Sequence, residues 1–328
     1  MYNRYYIMKL LVTGGTGLVG SSIKEYVKDD NENTYKFLSS KDVNLINEGE
    51  VNALFNNFRP DVVIHLASRV AGLYGNMNDN YGFLVDNLKL NTNILENCKK
   101  YKVKKLINIL STCVFPDKNV TYPLTSDQIL NGEPHSSNEG YSYSKRLLFT
   151  GSKLLFNQKE SFDMPDFSVV NIIPTNLYGE HDNYHLVNSH VIPGLIHKCY
   201  LAKDNNTDLI IKGTGSAKRQ FLYSGDLAKI ILMFAYSDEY KGQFLSLVAS
   251  VPSSHEISIK QVVEKIVKSF DFKGNVVYDT SYSDGQPAKT TDSSEVIKYF
   301  PNFKYTDIDH GLNWMIQYFK ENFETVRK

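Results

Sequence analysis

Along the first ~180 positions, short and nearly continuous apolar runs alternate with longer stretches in which apolar residues recur every three to four positions. The first rhythm marks strands buried on both faces and the second marks amphipathic helices. Strands are predicted at Lys9–Thr13, Tyr35–Leu38, Asp61–Ala67, Lys105–Leu110 and Phe167–Ile173. Helices are predicted over Leu18–Val27, Tyr81–Tyr101 and Tyr141–Asn157. Strict alternation of this kind implies an α/β protein with a doubly wound parallel sheet of the Rossmann type. After Pro174 the rhythm breaks down. Helices are expected at Val191–Lys203, Gly225–Tyr236, Ser258–Phe270 and Ile308–Phe323, with short strands near Leu209–Ile211 and Gln243–Val248. The organisation read from this is a nucleotide-binding domain over 1–180, to which a segment near 224–250 returns, and a smaller α/β substrate lobe mainly over 181–328.

Composition narrows the function. Thirty-six basic residues balance thirty-six acidic ones across 328 positions. A nucleic-acid partner is therefore not expected, since polyanion binding needs a cationic excess. No window of about 18 apolar residues is present, so no membrane span is expected. Three cysteines without a CxxC spacing indicate a reducing compartment. The N-terminal MYNRYYIMKLLVTGG lacks an apolar secretory core. A cytoplasmic location is the expectation. No His, Cys and carboxylate set has metal-ligand spacing, so no metal is expected.

Gly14, Gly17 and Gly20, with Gly15, Thr16, Leu18 and Val19 between them, join the first strand to the first helix. Glycines at this junction permit a tight turn and bring backbone N–H groups and a helix N-terminus to a pyrophosphate. The second strand ends in Ser39-Ser40-Lys41, with no carboxylate at its tip although Asp42 follows. Two hydroxyls and a cation suit a 2′-phosphate, which favours NADP over NAD. Ser111-Thr112-Cys113 follows the strand that ends at Leu110, where an open α/β sheet binds its ligand. Tyr141 and Lys145 stand four apart on one helix face. An ammonium near the phenol is expected to lower its pKa, so that it can donate a proton to a carbonyl receiving a hydride.

Gly14–Gly20, Ser111, Tyr141 and Lys145 resemble the extended short-chain dehydrogenase/reductase family. STCVFPDK (111–118), GYSYSKR (140–146), PTNLYGEHDNYH (174–185), HVIPGLIHK (190–198), GTGSAKRQFLYSGDLA (213–228) and SDGQPAKTTDSS (283–294) narrow the likeness to its GDP-L-fucose synthase branch. That resemblance implies epimerisation at sugar carbons three and five of GDP-4-keto-6-deoxy-mannose, then reduction at carbon four with NADPH. It implies Cys113 as base, His190 as acid, and Ser111 and Tyr141 as holders of the ketone oxygen, with Lys145 beside them. It places Asn44, Leu45, Leu66, Ala67, Pro174, Thr175, Asn176 and Leu177 along the cofactor. It places Thr112, Asn176, Lys198, Lys212, Arg219 and Lys289 along the GDP-sugar. Lys198 stands where many bacterial relatives have Arg, and Lys212 where some have Trp. A homodimer is expected, paired through the helices Tyr81–Tyr101 and the one beginning at Tyr141.

Other readings of the same residues are weaker. A 4,6-dehydratase of this fold would carry an acidic pair just after the strand-end Ser/Thr, and Ser111-Thr112-Cys113-Val114 has none. A plain 4-epimerase needs no Cys/His pair. A non-catalytic NADP-binding regulator would not need Tyr141 and Lys145 together.

Overall fold

A computed structural model describes residues 7–70, 73–282, 284 and 289–328. The N-terminal Met1–Tyr6 and the part of the SDGQPAKTTDSS stretch at 283 and 285–288 lie outside the described residues. In chain order the elements are β1 (Lys9–Thr13), α1 (Leu18–Tyr26), β2 (Thr34–Phe37), α2 (Glu48–Phe58), β3 (Val62–His65), α3 (Leu73–Asn78), α4 (Asn80–Lys100), β4 (Lys105–Ile109), α5 (Glu139–Asn157) and β5 (Ser168–Pro174). There follow β6 (Asn176–Tyr178), α6 (Val191–Asp204), β7 (Leu209–Lys212), β8 (Lys218–Arg219), β9 (Phe221–Tyr223), α7 (Ser224–Tyr236), β10 (Phe244–Ala249), β11 (Ile257–Ser258), α8 (Ile259–Phe270), β12 (Val276–Asp279), α9 (Ser294–Tyr299) and α10 (Ile308–Glu321).

One six-stranded sheet has the order β10-β5-β4-β3-β1-β2. Strands β1 to β5 pair in parallel, with Leu11 opposite Lys36 and Val63 and Ile107 opposite Ile64 and Val170. The central strands β3, β4 and β5 are buried at every position. This explains their unbroken apolar sequence, because helices cover both faces. The strand order reverses between β1 and β3, the crevice where such sheets bind nucleotides.

The chain forms two compact units. One contains Met1–Val120, Ser126–Pro174 and Leu227–Leu247. The other contains Thr121–Thr125, Thr175–Asp226 and Val248–Lys328. In the first, Leu11, Val63, Leu106 and Val169 pack with Ile94 and Cys98 of α4. The second has its own core, built from Ile192 and Ile196 of α6, Val262 and Ile266 of α8, and Leu312, Met315 and Phe319 of α10. The helix α8 begins with a capping box between Ser258 and Gln261, which satisfies two otherwise orphaned N–H groups. Gln220 ties the unit's strands together. Its amide donates to the Val251 carbonyl at 2.8 Å and accepts from the Thr291 N–H at 2.8 Å.

Among the described residues, no helix is long and apolar enough to cross a membrane, and no group of His, Cys, Asp and Glu could hold a metal ion.

Candidate active site

The glycine turn fits a dinucleotide by what it excludes. Gly14 adopts φ +67°, and a Cβ there would lie 2.9 Å from the Ala67 nitrogen. A Cβ on Gly15 would meet Phe37 Cβ at 2.7 Å, and one on Gly20 would meet Gly15 Cα at 2.6 Å. Strand, turn and helix are thus in backbone contact, and only glycine fits. Gly17 is the N-cap of α1 with no side-chain capping bond, and the first turn has no acidic residue. Its N–H groups point where a pyrophosphate can take them. Thr16, Leu18 and Val19 complete this turn. Behind it, the Ala67 N–H donates to the Thr13 hydroxyl at 3.2 Å, which fixes the Leu66-Ala67 loop against β1.

At the tip of β2, Ser39, one of the expected phosphate contacts, is engaged by a neighbour. Its hydroxyl donates to the Asp42 carboxylate at 2.6 Å, and its N–H does so at 2.7 Å. These bonds hold the Asp42 carboxyl below its ordinary range. Asp42 closes a local turn that a strand-tip reading passes over. Ser40 and Lys41 remain exposed beside it. Farther on, the Asn44 N–H donates to Glu50 at 2.8 Å, and the buried Leu45 offers its carbonyl to the Asn93 amide at 2.9 Å.

At the carboxyl end of β4, four expected residues lie together. Ser111 starts a turn at Thr112–Val114, and its hydroxyl accepts from the Cys113 N–H at 3.3 Å. The same hydroxyl acts on the Tyr141 phenol and opposes the rise of its pKa. The Lys145 ammonium is buried, donates to the Ile109 carbonyl at 2.8 Å, and lies 5.8 Å from the centre of the Tyr141 ring. Burial lowers its pKa to about 8. The expectation for the phenol is reversed. Burial pushes Tyr141 well above the ordinary tyrosine value, the Cys113 sulfur adds to this, and only Ser111 acts the other way. Lys145 gives one of its three N–H donors to a backbone carbonyl and is not among the groups that shift the phenol, so the phenol holds its proton more firmly than an ordinary tyrosine.

Two residues of this cluster escaped the sequence reading. Asn138 donates its side-chain amide to the Cys113 sulfur at 2.9 Å. Arg146, buried on α5, donates its Nε to the Val114 carbonyl at 2.8 Å and so pins the turn that carries Cys113. Asn and Arg are common helix-start and helix residues, and nothing in their spacing marks them.

The remaining expected residues belong to the second unit, apart from Pro174, which ends β5 in the first. The Thr175 N–H donates to the Ala249 carbonyl at 3.1 Å. Asn176 and Leu177 form β6 beside β9, and the Asn176 amide donates to the Gln220 carbonyl at 3.2 Å. His190 precedes α6, exposed, 3.8 Å from the buried Asp182 carboxylate. His181 packs edge-on against Tyr318. The His185 ring accepts from the Val187 and Asn188 N–H groups at 3.1 and 3.0 Å. Both are therefore loop residues held by local contacts.

Lys198 on α6 and Lys212 at the end of β7 are electrostatic neighbours. Burial and Lys212 together depress the Lys198 pKa. Lys212 also lies over the Tyr282 ring at 4.4 Å, so an aromatic contact exists here with the cation supplied by the chain. Arg219 on β8 is half-buried, and burial depresses its pKa against the opposing pull of Glu256. Lys289 is partly buried.

Residues 10–244 match the model of the NAD dependent epimerase/dehydratase family. The chain belongs to that family. It is similar to a GDP-L-fucose synthase of Dictyostelium discoideum, 43% identical over 97% of each chain. It is also similar to a probable GDP-L-fucose synthase of Drosophila melanogaster, 37% identical over 98% of this chain and 99% of that one. Among solved structures, it resembles a GDP-L-fucose synthetase from Naegleria fowleri bound to NADP. That match has a TM-score of 0.91 at 40% identity, covering 98% of this chain and 95% of the other. The family's doubly wound parallel fold is the one expected from the alternating rhythm.

Proposed function

We propose that the chain converts GDP-4-keto-6-deoxy-D-mannose to GDP-L-fucose, epimerising sugar carbons three and five and then reducing carbon four. The observation that carries this reading is Cys113 beside the Ser111–Tyr141 pair. A simple reductase needs only the pair, whereas the added thiol beside it supplies a base.

NADP(H) is the cofactor of this reading, held by Gly14–Gly20, Ser40, Lys41 and the Leu66-Ala67 loop, with Pro174, Thr175, Asn176 and Leu177 along its nicotinamide. When bound, it supplies the hydride for carbon four. The protein's own groups do the rest. The hydroxyls of Ser111 and Tyr141 hold the ketone oxygen, which acidifies the protons on carbons three and five. Cys113 removes such a proton from one face, and His190 returns one from the other. The charge that develops on the oxygen during this exchange is an enolate, and the two hydroxyls stabilise it. In the second stage the oxygen becomes an alkoxide, a base strong enough to take the proton of a neutral Tyr141. The raised pKa of that phenol keeps the proton in place until then. Lys145 supplies positive charge close to the same oxygen. Lys198, Arg219 and Lys289 neutralise the diphosphate, with Thr112 and Lys212 as further sugar-nucleotide contacts.

Purified protein, the keto sugar and NADPH should give loss of NADPH absorbance and a product with the mass and retention of GDP-L-fucose. Turnover of UDP or dTDP keto sugars in place of the GDP sugar would overturn the assignment. We further propose a cytoplasmic homodimer. Leu147 and Leu154 stand seven apart on α5 and are 47% and 57% exposed, an apolar face that a second copy would cover. Size-exclusion chromatography with light scattering would read this as twice the monomer mass.

A further inference from the structure

The reading above asks His190 to carry a proton at working pH, yet its position opposes a cation. It caps the N-terminus of α6 with φ −69° and ψ 170°, and its side chain makes no capping bond. The positive end of a helix dipole disfavours an imidazolium. Arg327, from the C-terminal segment, acts in the same direction.

One group answers both. Asp182, in the loop after β6, is 3% exposed, and its Oδ1 lies 3.8 Å from the Nδ1 of His190. That oxygen also accepts from the Asn183 N–H at 2.7 Å. Its Oδ2 is fully buried and has no hydrogen-bond partner among the described residues. Burying a carboxyl group with an unused oxygen is costly, and such a cost survives where the group acts on a neighbour. The His190 ring, by contrast, is 63% exposed, so its other face is open to a ligand.

We infer that Asp182 is a positioning residue for proton return. It holds His190 with Nδ1 turned inward to the carboxylate and Nε2 outward as the donor. At 3.8 Å the two are in ion-pair range, and a small approach of the exposed ring would give the bond by which a carboxylate fixes the tautomer of a working histidine. The direction of the His190 shift agrees: its pKa is raised, and Asp182 is the foremost cause. The inference rests on His190 being the acid of the proposed reaction.

The test is Asp182→Asn in the full chain, with histidine ring nitrogens followed by NMR against pH. The His190 midpoint should move to lower pH. Deuterium incorporation at the epimerised carbons should fall about tenfold at pH 8 and much less at pH 6, where the ring is protonated without help. An unmoved midpoint would overturn the pairing. Should the variant not fold, the wild-type protein suffices, because at alkaline pH His190 should hold its proton on Nδ1. A proton on Nε2 with bare Nδ1 would overturn the inference. His190→Gln separates the two claims. If epimerisation survives in it while Asp182→Asn still moves the midpoint, the acid assignment fails and the pairing stands.

Discussion

The side-chain amide of Asn138 donates to the sulfur of Cys113 across 2.9 Å, one residue before the helix that carries Tyr141 and Lys145. An amide donor on sulfur orients it, and the bond strengthens as charge develops on the acceptor. Asn138→Leu should therefore slow deuterium exchange at the carbons alpha to the ketone by about tenfold, the worth of one hydrogen bond to a charged group. NADPH binding, followed by fluorescence, should not change. Equal exchange in both proteins would mean that the contact is incidental.

Cys113→Ser goes one step further along the same line. Serine keeps the size and the turn at Thr112–Val114 but loses an acidic thiol. Exchange should stop, while NADPH affinity holds. Reduction of a substrate already epimerised should continue, since Ser111 and Tyr141 are intact. Mass spectrometry of the product made in deuterium oxide separates these outcomes, and surviving exchange would remove Cys113 from its role as base.

Lys145 gives a pH signature to the second stage. Burial has lowered its pKa to about 8, so its ammonium is lost as pH rises through that value. The charge that favours the developing alkoxide disappears with it. Reduction at saturating NADPH should fall on the alkaline side with a midpoint near 8, and Lys145→Arg, which stays charged, should abolish that limb. A rate that stays flat to pH 10 would exclude the ammonium from the reduction.

The sheet was legible in sequence because its strands are buried on both faces and so carry unbroken apolar runs, as Val62–His65 and Lys105–Ile109 do. The predicted ends differ from the observed ones by one or two residues at most elements. For instance, α5 begins at Glu139 rather than Tyr141. The second unit was less legible for a physical reason. Strands such as Lys218–Arg219, Phe221–Tyr223 and Ile257–Ser258 are two or three residues long, too short to show a period. The helix Glu48–Phe58 was missed although Asn47 caps it through the Glu50 N–H. Its neighbourhood of Asn, Glu and Gly reads as loop. In the site, residues whose type carries chemistry (Cys113, Tyr141, Lys145) were visible. Those that work through another residue were not. Asn138, Arg146 and Asp182 acquire their meaning only from which sulfur, carbonyl or imidazole the fold sets against them. Ser39 is the converse case: its hydroxyl was visible in sequence, while its bond to the carboxylate three positions on was not.

Gly20→Ala tests the nucleotide turn without touching a charge. The added Cβ would meet the Gly14 carbonyl oxygen and stand 2.6 Å from Gly15 Cα, both backbone atoms that cannot rotate aside. The turn would have to open. Stability should fall by a few kcal/mol in urea unfolding, and NADPH should no longer raise the melting temperature. Gly17→Ala is the control. Its Cβ would find the nearest atom at 3.3 Å, so the loss should be small. Equal behaviour of the two variants would show that the turn is not constrained in this way.

The last prediction concerns a buried chain that joins the glycine turn to the helix of Tyr141. The Thr13 hydroxyl accepts from the Ala67 N–H and lies 2.9 Å from His65 Nδ1, to which it donates when the ring is neutral with its proton on Nε2. His65 Nε2 then carries the ring proton and donates to Asn91 Oδ1 at 3.1 Å, and the Asn91 amide donates to the Ser144 carbonyl at 3.2 Å, next to Lys145. Every donor meets an acceptor only if His65 is neutral. Burial, and then the charge of Lys145, lower its pKa to about 3 from an ordinary 6.5. The unfolded chain therefore binds a proton between those values that the folded chain refuses. Stability conferred by the neutral ring is complete above pH 6.5 and is lost as pH falls toward 3, by at most about 1.4 kcal/mol per pH unit. Urea unfolding of the wild type should show this slope between pH 6.5 and 4.5. His65→Gln should be less stable at pH 7, since it shortens the chain of bonds, yet its stability should decline less steeply over the same range. A variant with the wild-type slope would mean that acid sensitivity comes from other groups, and that His65 is not held neutral by this chain of bonds.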